Sequence, residues 1–257
     1  MLLLIDIGNT NITIGSCDNG VRDVMRIGLV PERDMDAYSR LLKSFVLSHE
    51  PEKPKGAVIC SVVDRATPLL TKALKKSFGI NPLNVNYKLK TGLKFCIKNP
   101  DKLGADRIVN AAAARRLYKG HSIVIDFGTA TTFSVVSSRG EYKGGAIMPG
   151  LGISAQVLSE KTARLPRVEL KAPDKVLGDD TESNILSGLI IGHAGAVERI
   201  VKEMKLSLNK NKKAETYTNV IVTGGNADIV VPYIRCIKKI NPFLTLEGLR
   251  IIYGLNV

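Results

Sequence analysis

A short pattern occurs twice in this chain, and the interval between its copies limits what the chain can fold into. Ile5-Asp6-Ile7-Gly8-Asn9-Thr10 stands near the start, and Ile125-Asp126-Phe127-Gly128-Thr129-Ala130-Thr131-Thr132 places its aspartate 120 positions later. Gly20, after Cys17-Asp18-Asn19, and Gly140, after Ser137-Ser138-Arg139, keep the same interval. Each copy reads as an apolar strand (Leu2 to Ile5; Ser122 to Ile125), a tight turn and a second strand of alternating residues. The turns carry Asp, Gly, Thr and Asn, whose hydroxyls and backbone N–H groups suit an anion where glycine permits close approach. Two copies in register predict a phosphate site built twice, on two α/β halves of one ancestral unit.

Composition narrows the class. A chain of 257 residues with 44% hydrophobic content can bury the core of one large domain or two small ones. The opening Met1-Leu2-Leu3-Leu4-Ile5 lacks a basic flank and stops at Asp6, and no apolar run approaches the roughly 20 residues of a membrane span. No membrane association is expected, and the cytoplasm is the default compartment. Cys17, Cys60, Cys96 and Cys236 lie far apart without a C-x-x-C pair, which predicts reduced, structural thiols. His49, His121 and His193 are isolated, so neither a zinc site nor a Cys/His nucleophile is indicated. The net charge of +13 is spread along the chain, densest at Lys202, Lys205, Lys210, Lys212 and Lys213, with no Trp and no aromatic interleaving. That pattern predicts a solvated lysine surface favouring anionic small substrates, with no nucleic-acid partner.

Strand and helix alternate along both halves. The first half reads as a hairpin over 2–26, a helix over 35–48 on the spacing of Leu41, Leu42, Phe45 and Val46, and a strand over 57–63. A helix opened by Thr67-Pro68, a turn-rich span over 81–103 and an alanine-rich helix over 105–118 complete it. The second half repeats the scheme: a hairpin over 122–147 with a turn at Gly144-Gly145, a helix over 153–162, a loop marked by Pro166 and Pro173, and a long helix over 181–204. A basic linker, the strand Val220-Ile221-Val222, the turn Thr223-Gly224-Gly225-Asn226-Ala227 and a closing helix-and-strand segment follow. Gly188, Gly192 and Gly195 recur along the long helix and predict close packing against another helix, in this subunit or a second one. The expected halves are 1–118 and 119–257.

The motifs divide the chemistry. No G-x-x-x-x-G-K-[ST] occurs, which removes the ordinary P-loop. Gly150-Leu151-Gly152-Ile153-Ser154-Ala155 matches G-x-G-x-x-A, but Met148-Pro149 before it makes a poor central strand and argues against a Rossmann site. Asp6, at a strand end, suits a hydrated divalent ion, and Asn9, Thr10, Asn11 and Thr13 are candidate donors to phosphate oxygens. Asp126 and Thr129 hold the related positions in the second copy, and Thr223-Gly224-Gly225-Asn226-Ala227 suits close packing against a nucleobase or ribose. Gly104-Ala105-Asp106-Arg107 heads the alanine-rich helix. There an acid and a guanidinium either meet the charge preference of a helix N-terminus or hold two jobs. In the second case Asp106 accepts a proton from a substrate hydroxyl and Arg107 grips an acidic group.

With these residues in order, the chain closely resembles, nearly end to end, the type III pantothenate kinases, a branch of the actin-like ATPase and sugar-kinase superfamily. The resemblance rests on Asp6-Ile7-Gly8-Asn9-Thr10, Asn99-Pro100, Gly104-Ala105-Asp106-Arg107, Asp126-Phe127-Gly128-Thr129-Ala130-Thr131, Gly144-Gly145-Ala146-Ile147-Met148-Pro149-Gly150, Thr162-Ala163-Arg164-Leu165-Pro166, Gly178-Asp179-Asp180-Thr181, Thr223-Gly224-Gly225 and Gly248-Leu249. It implies a duplicated ribonuclease H-like (actin-like ATPase) α/β fold, two halves around an ATP cleft. It also implies ATP-dependent phosphorylation of the terminal hydroxyl of pantothenate to 4'-phosphopantothenate, the first step toward coenzyme A. By motif, the resemblance assigns ATP to Asp6, Ile7, Gly8, Asn9, Thr10, Asn11, Ile12, Thr13 and Thr129. It makes Asp106 the catalytic proton acceptor and gives pantothenate to Gly104, Ala105, Asp106, Arg107 and Thr181. Asp126 would bind a monovalent cation, potassium or ammonium, and Asp6 would hold Mg2+ through water. A homodimer with the site at its interface is implied as well.

Two departures from the family pattern qualify those assignments. Ile97, seven positions before Gly104, stands where the family usually has a substrate-binding tyrosine, although Asn99-Pro100 keeps its spacing. A lost hydroxyl removes one polar contact, about 0.5–1.5 kcal/mol, implying weaker or altered pantothenate binding. Asp180 replaces the more usual asparagine before Thr181. Relatives of the family described as accessory regulators of virulence-gene expression supply an alternative, a nucleotide-binding regulator, and a kinase for another hydroxy acid or a sugar is a third reading.

Overall fold

A computed structural model of the chain describes residues 1–49, 53–209, 217–237 and 239–257. In chain order the elements are β1 (Leu2–Ile7), β2 (Asn11–Cys17), β3 (Val21–Gly28), α1 (Met35–His49), β4 (Gly56–Ser61), α2 (Ala66–Phe78), β5 (Leu83–Asn84), β6 (Lys94–Phe95), α3 (Ala105–Leu117), β7 (His121–Phe127), β8 (Ala130–Val136), β9 (Glu141–Pro149), α4 (Leu151–Lys161), α5 (Thr181–Asn209), β10 (Thr218–Thr223), α6 (Ala227–Val230), β11 (Lys239–Ile240) and α7 (Leu244–Asn256). They form two compact units, one of Met1–Leu93, Lys98–Arg116 and Phe243–Val257, the other of Lys94–Ile97 and Leu117–Pro242. The units are not contiguous halves of the chain, because its last helix belongs with the first sheet and β6 with the second.

One topology is used twice. The first sheet has the order β3-β2-β1-β4-β5, with β1, β2 and β3 an antiparallel meander and β4 parallel to β1. The second runs β11-β10-β7-β8-β9, with β7, β8 and β9 the meander and β10 parallel to β7, and adds β6 at the β9 edge. Hairpin loops suffice for the antiparallel pairs, whereas the parallel neighbours need crossovers, which helices supply. The duplication visible in two short motifs is therefore a duplication of strand order.

Alternation along the strands sets which face meets which helix. Leu3, Ile5 and Ile7 of β1, with Ile12 and Ile14 of β2, form a buried cluster with Tyr38, Leu42 and Phe45 of α1 and Leu70 and Leu74 of α2. Leu4 points to the opposite face, where α7 lies: a Cβ on Gly15, the partner of Leu4, would stand 3.0 Å from Leu246 Cδ1. In the second unit Ile123, Ile125 and Phe127 of β7, Phe133 and Val135 of β8, and Val220 and Val222 of β10 pack against Ile190, Ala194, Val197 and Val201 of α5.

Two expectations need correction. Gly144-Gly145 is not a turn but lies inside β9, where Gly144 takes φ +111° as the register shifts between Val135 and Val136. A bulge, which needs the same glycine freedom as a turn, accounts for the misreading. The long helix extends to Asn209 and carries Lys202 and Lys205, while Lys210, Lys212 and Lys213 lie outside the described residues. Gly188, Gly192 and Gly195 face outward on α5, and a Cβ on any of them would meet no atom of the described residues within 4 Å. Among the described residues no helix is long and apolar enough to cross a membrane.

A Cβ on Gly248 would collide with the Val109 carbonyl, so α7 rests directly on α3. Gly248→Ala is expected to lower the unfolding free energy by about 1–3 kcal/mol, the usual cost of overpacking. Urea denaturation should show a lower midpoint at unchanged slope, and an unchanged midpoint would mean that α7 does not seat there.

Candidate active site

The first glycine turn joins the ends of β1 and β2. Ile7 and Ile12, paired at its base, are fully buried in the core, so only their backbone borders the turn. Between them the Gly8 N–H donates to the Asn11 carbonyl at 2.9 Å, closing the loop on itself, and leaves Asn9 and Thr10 exposed at its tip. Asp6, half-buried, lies opposite Thr13 on β2 and beside Cys60 on β4. The turn after β4 is bound to the same strand end, because the Val62 N–H donates to the Ile7 carbonyl at 3.1 Å. Ser61 stiffens it: its hydroxyl accepts from the Val63 N–H at 3.0 Å and from the Thr67 hydroxyl at 2.7 Å.

The N-terminus of α3 reaches that edge. Val62 would stand 3.7 Å from a Cβ on Gly104, and the Asp106 carboxylate folds back over Gly104, occupying the space such a Cβ needs. Asp106 Oδ1 accepts from the Arg107 N–H at 2.8 Å, and the Gly104 carbonyl accepts from the N–H groups of Arg107 and Ile108. Burial pushes the Asp106 carboxyl above its ordinary value, against the opposing pull of the Arg107 N–H and guanidinium. Ala105 is buried and Arg107 half-buried. The structure therefore brings the first turn and the Gly104-Ala105-Asp106-Arg107 segment to one edge of the first unit.

In the second unit the turn after β7 is held from outside. Its base is the pair Phe127 and Thr131. The Asn226 N–H donates to the Phe127 carbonyl at 3.1 Å, and the Gly150 N–H donates to the Thr129 carbonyl at 3.2 Å. Gly224, at φ +98°, lies against Asp126: a Cβ there would stand 2.5 Å from Asp126 Oδ1 and from the Phe127 nitrogen. Thr223-Gly224-Gly225-Asn226 and the second glycine turn thus form one constellation with Asp126 and Thr129. Beneath it, His193 of α5 hydrogen-bonds through Nε2 to the Thr131 hydroxyl at 2.9 Å. Thr181 heads α5, exposed, about 18 Å along the helix from His193 at 1.5 Å per residue, so it does not join that constellation. Ile97, half-buried beside β9, has its Cγ2 3.8 Å from where a Gly144 Cβ would stand. Asp180 caps α5, its carboxylate accepting from the Ser183 N–H at 2.7 Å while the Ser183 hydroxyl accepts from the Asp180 N–H at 3.1 Å.

Residues 2–203 match the family Type III pantothenate kinase. A type III pantothenate kinase of Moorella thermoacetica is 40% identical over 261 residues, covering 100% of both chains. The chain belongs to the type III pantothenate kinase family. Two solved structures share its fold at low identity. A Baf family protein of Campylobacter jejuni, whose name is that of a transcriptional activator, superposes with TM-score 0.58 at 19% identity over 98% of this chain and 97% of that one. A glucokinase from an Antarctic psychrotroph gives TM-score 0.51 at 9% identity over 98% of each. With the repeated sheet order, these likenesses make the fold the duplicated actin-like ATPase and sugar-kinase α/β fold, and a kinase of this family uses ATP with a divalent metal.

Family motifs and geometry do not coincide everywhere. His193 is the clearest addition, and the signal for it was present: a polar residue within the apolar stripe of Ile190, Ala194 and Val197. The Gly150 backbone contact was concealed, because G-x-G-x-x-A spacing pointed to a different nucleotide fold.

The raised Asp106 carboxyl has a consequence for stability. Between the ordinary value of 3.8 and the raised one, the native protein binds more protons than the unfolded chain, so stability falls as pH rises through that window. Asp106→Asn keeps the acceptor oxygen without the charge. It is expected to be at least as stable as the parent at neutral pH, the difference vanishing below 3.8. A variant clearly less stable than the parent at neutral pH would contradict the burial effect.

Proposed function

We propose that the chain phosphorylates the terminal hydroxyl of pantothenate with ATP, giving 4'-phosphopantothenate, the first step toward coenzyme A. Asp106 carries this reading: a carboxylate on a packed helix, raised in pKa by burial, at the edge that also holds the first glycine turn. A raised pKa makes its carboxylate a stronger base for the substrate hydroxyl. Arg107, its neighbour, receives the pantothenate carboxylate, and Gly104 and Ala105 border the substrate. Thr181 completes the pantothenate contacts. Asp6, Ile7, Gly8, Asn9, Thr10, Asn11, Ile12, Thr13 and Thr129 contact ATP, Ile7 and Ile12 by backbone alone. Phosphoryl transfer rests on such positioning and charge stabilisation.

Mg2+ supplies charge neutralisation at the phosphates when bound. A single half-buried carboxylate at Asp6, with no cluster of three or more metal-binding side chains among the described residues, fits an ion that keeps its waters and leans on substrate phosphates. Asp126 is assigned the monovalent cation, potassium or ammonium. For the homodimer, the outward glycines of α5 and the exposed Ile147, Ile153 and Val157 are the surface assigned to the second subunit. The compartment is the cytoplasm.

A coupled assay of ADP release is expected to show turnover that requires pantothenate. Indifference to pantothenate would favour the nucleotide-binding regulator, and turnover only with another hydroxy acid or sugar would favour a different kinase. Asp106→Asn should lower kcat by roughly 100-fold to 10,000-fold with ATP binding retained. The acid limb of kcat in the parent should fall at a pH above 3.8, because the base must be deprotonated and its carboxyl is raised. Near-parental turnover of Asp106→Asn would remove Asp106 as the base.

A further inference from the structure

The second glycine turn has a buried polar pair at its base that the first lacks. In the first unit the corresponding pair is Ile7 and Ile12, both apolar and fully buried. In the second it is Phe127 and Thr131, and the Thr131 hydroxyl, 1% exposed, faces His193, 7% exposed, from the apolar face of α5. The His193 ring also lies against Phe127, ring centroids 5.9 Å apart. A hydroxyl and an imidazole in this core add nothing that valine and leucine would not supply in packing, and each costs free energy unless paired. Their 2.9 Å hydrogen bond satisfies both. Burial pushes the His193 imidazole below its ordinary value, so the ring is neutral and able to share a single proton with the hydroxyl.

Such a pair fixes position where apolar side chains slide. Phe127 and Thr131 bracket the residues 128–130, so the bond anchors the turn from the α5 side, while Asn226 and Gly150 hold its backbone elsewhere. We propose that His193 is a positioning residue for nucleotide binding: its hydrogen bond to Thr131 holds the Gly128-Thr129-Ala130 turn in the arrangement that receives ATP phosphates. This rests on the reading that Thr129 contacts ATP.

The test is the affinity for Mg–ATP, titrated by ligand-observed NMR on the full chain, in the parent, His193→Leu, Thr131→Val and the double variant. Leaving one partner buried and unpaired is expected to weaken ATP binding about five- to tenfold in each single variant, the low end of the cost of an unsatisfied group. The double variant leaves no orphan and should bind no more weakly than either single one. In steady state the KM for ATP should rise while kcat and the KM for pantothenate stay within about twofold, a split that general loosening of the fold would not give. If His193→Leu does not fold, Thr131→Val alone carries the test. ATP affinity unchanged in a folded single variant, or losses that add in the double variant, would overturn the proposal. A parent that binds ATP but does not phosphorylate pantothenate sinks the substrate reading and leaves the role of His193 standing on the binding data. A parent that binds no ATP removes both.

Discussion

Each glycine turn depends on the placement of one strand in its own sheet. β1 has an antiparallel partner, β2, on one side and a parallel partner, β4, on the other, and β7 stands the same way between β8 and β10. The carboxyl end of such a strand must do two things at once. It turns back tightly toward its hairpin partner, and it lies beside the end of a strand whose chain leaves for a helix. Strand order reverses at that point, and open α/β sheets bind ligands there, outside the carboxyl ends of the strands. Asp6 and Asp126 occupy those ends, paired across with Cys60 and Thr223 at the matching ends of β4 and β10. The acid of each motif is thus fixed by topology, not by local turn preference alone.

Equal topology does not make equal chemistry. The first turn spans four residues between Ile7 and Ile12, closes through its own Gly8 to Asn11 bond, and is also held from outside, the Val62 N–H donating to the Ile7 carbonyl at 3.1 Å and the Leu29 N–H to the Thr10 carbonyl at 2.8 Å. The second spans three between Phe127 and Thr131 and takes its support from Asn226, Gly150 and His193. What sets the second turn apart is the bond from α5, so its geometry answers to changes in that helix as well. The length difference does not propagate, because the turn after β2 has three residues where that after β8 has four, and Gly20 and Gly140 return to the common interval.

Much of this was legible in the sequence because the pattern was repeated. The apolar runs ending in Asp6 and Asp126, the spacing of Leu42, Phe45 and Val46, and the alanine run of α3 each specify an element locally. The errors fall where identity depends on distant contacts. Glycine at 144 serves a bulge or a turn equally well, and only pairing with β8 decides. The glycines of α5 have helix-packing spacing, and among the described residues no atom stands within 4 Å of a Cβ placed on them. Gly224 needs glycine for its φ of +98° and also for a reason no local rule contains, since the atoms excluding a side chain there are those of Asp126 and Phe127.

The return of the chain to its first unit bears on Asp106. A carboxylate held partly out of water favours its neutral form, so the native state carries an electrostatic cost at neutral pH that surrounding packing must offset. The helix that bears it is suited to that: Ala111, Ala112, Ala113 and Ala114 are all buried, and small side chains let neighbours approach α3 closely. α7 does so, with Gly248 against the Val109 backbone and the Thr245 hydroxyl donating to Asn110 Oδ1 at 2.8 Å, one turn along from Asp106. Rigid contact at Val109 and Asn110 limits the ways in which α3 can shift to let water reach the carboxylate. The last helix, remote in sequence, therefore belongs to the physical basis of the raised carboxyl as much as the residues beside it, and loosening α7 is a route to lowering that pKa without touching the site.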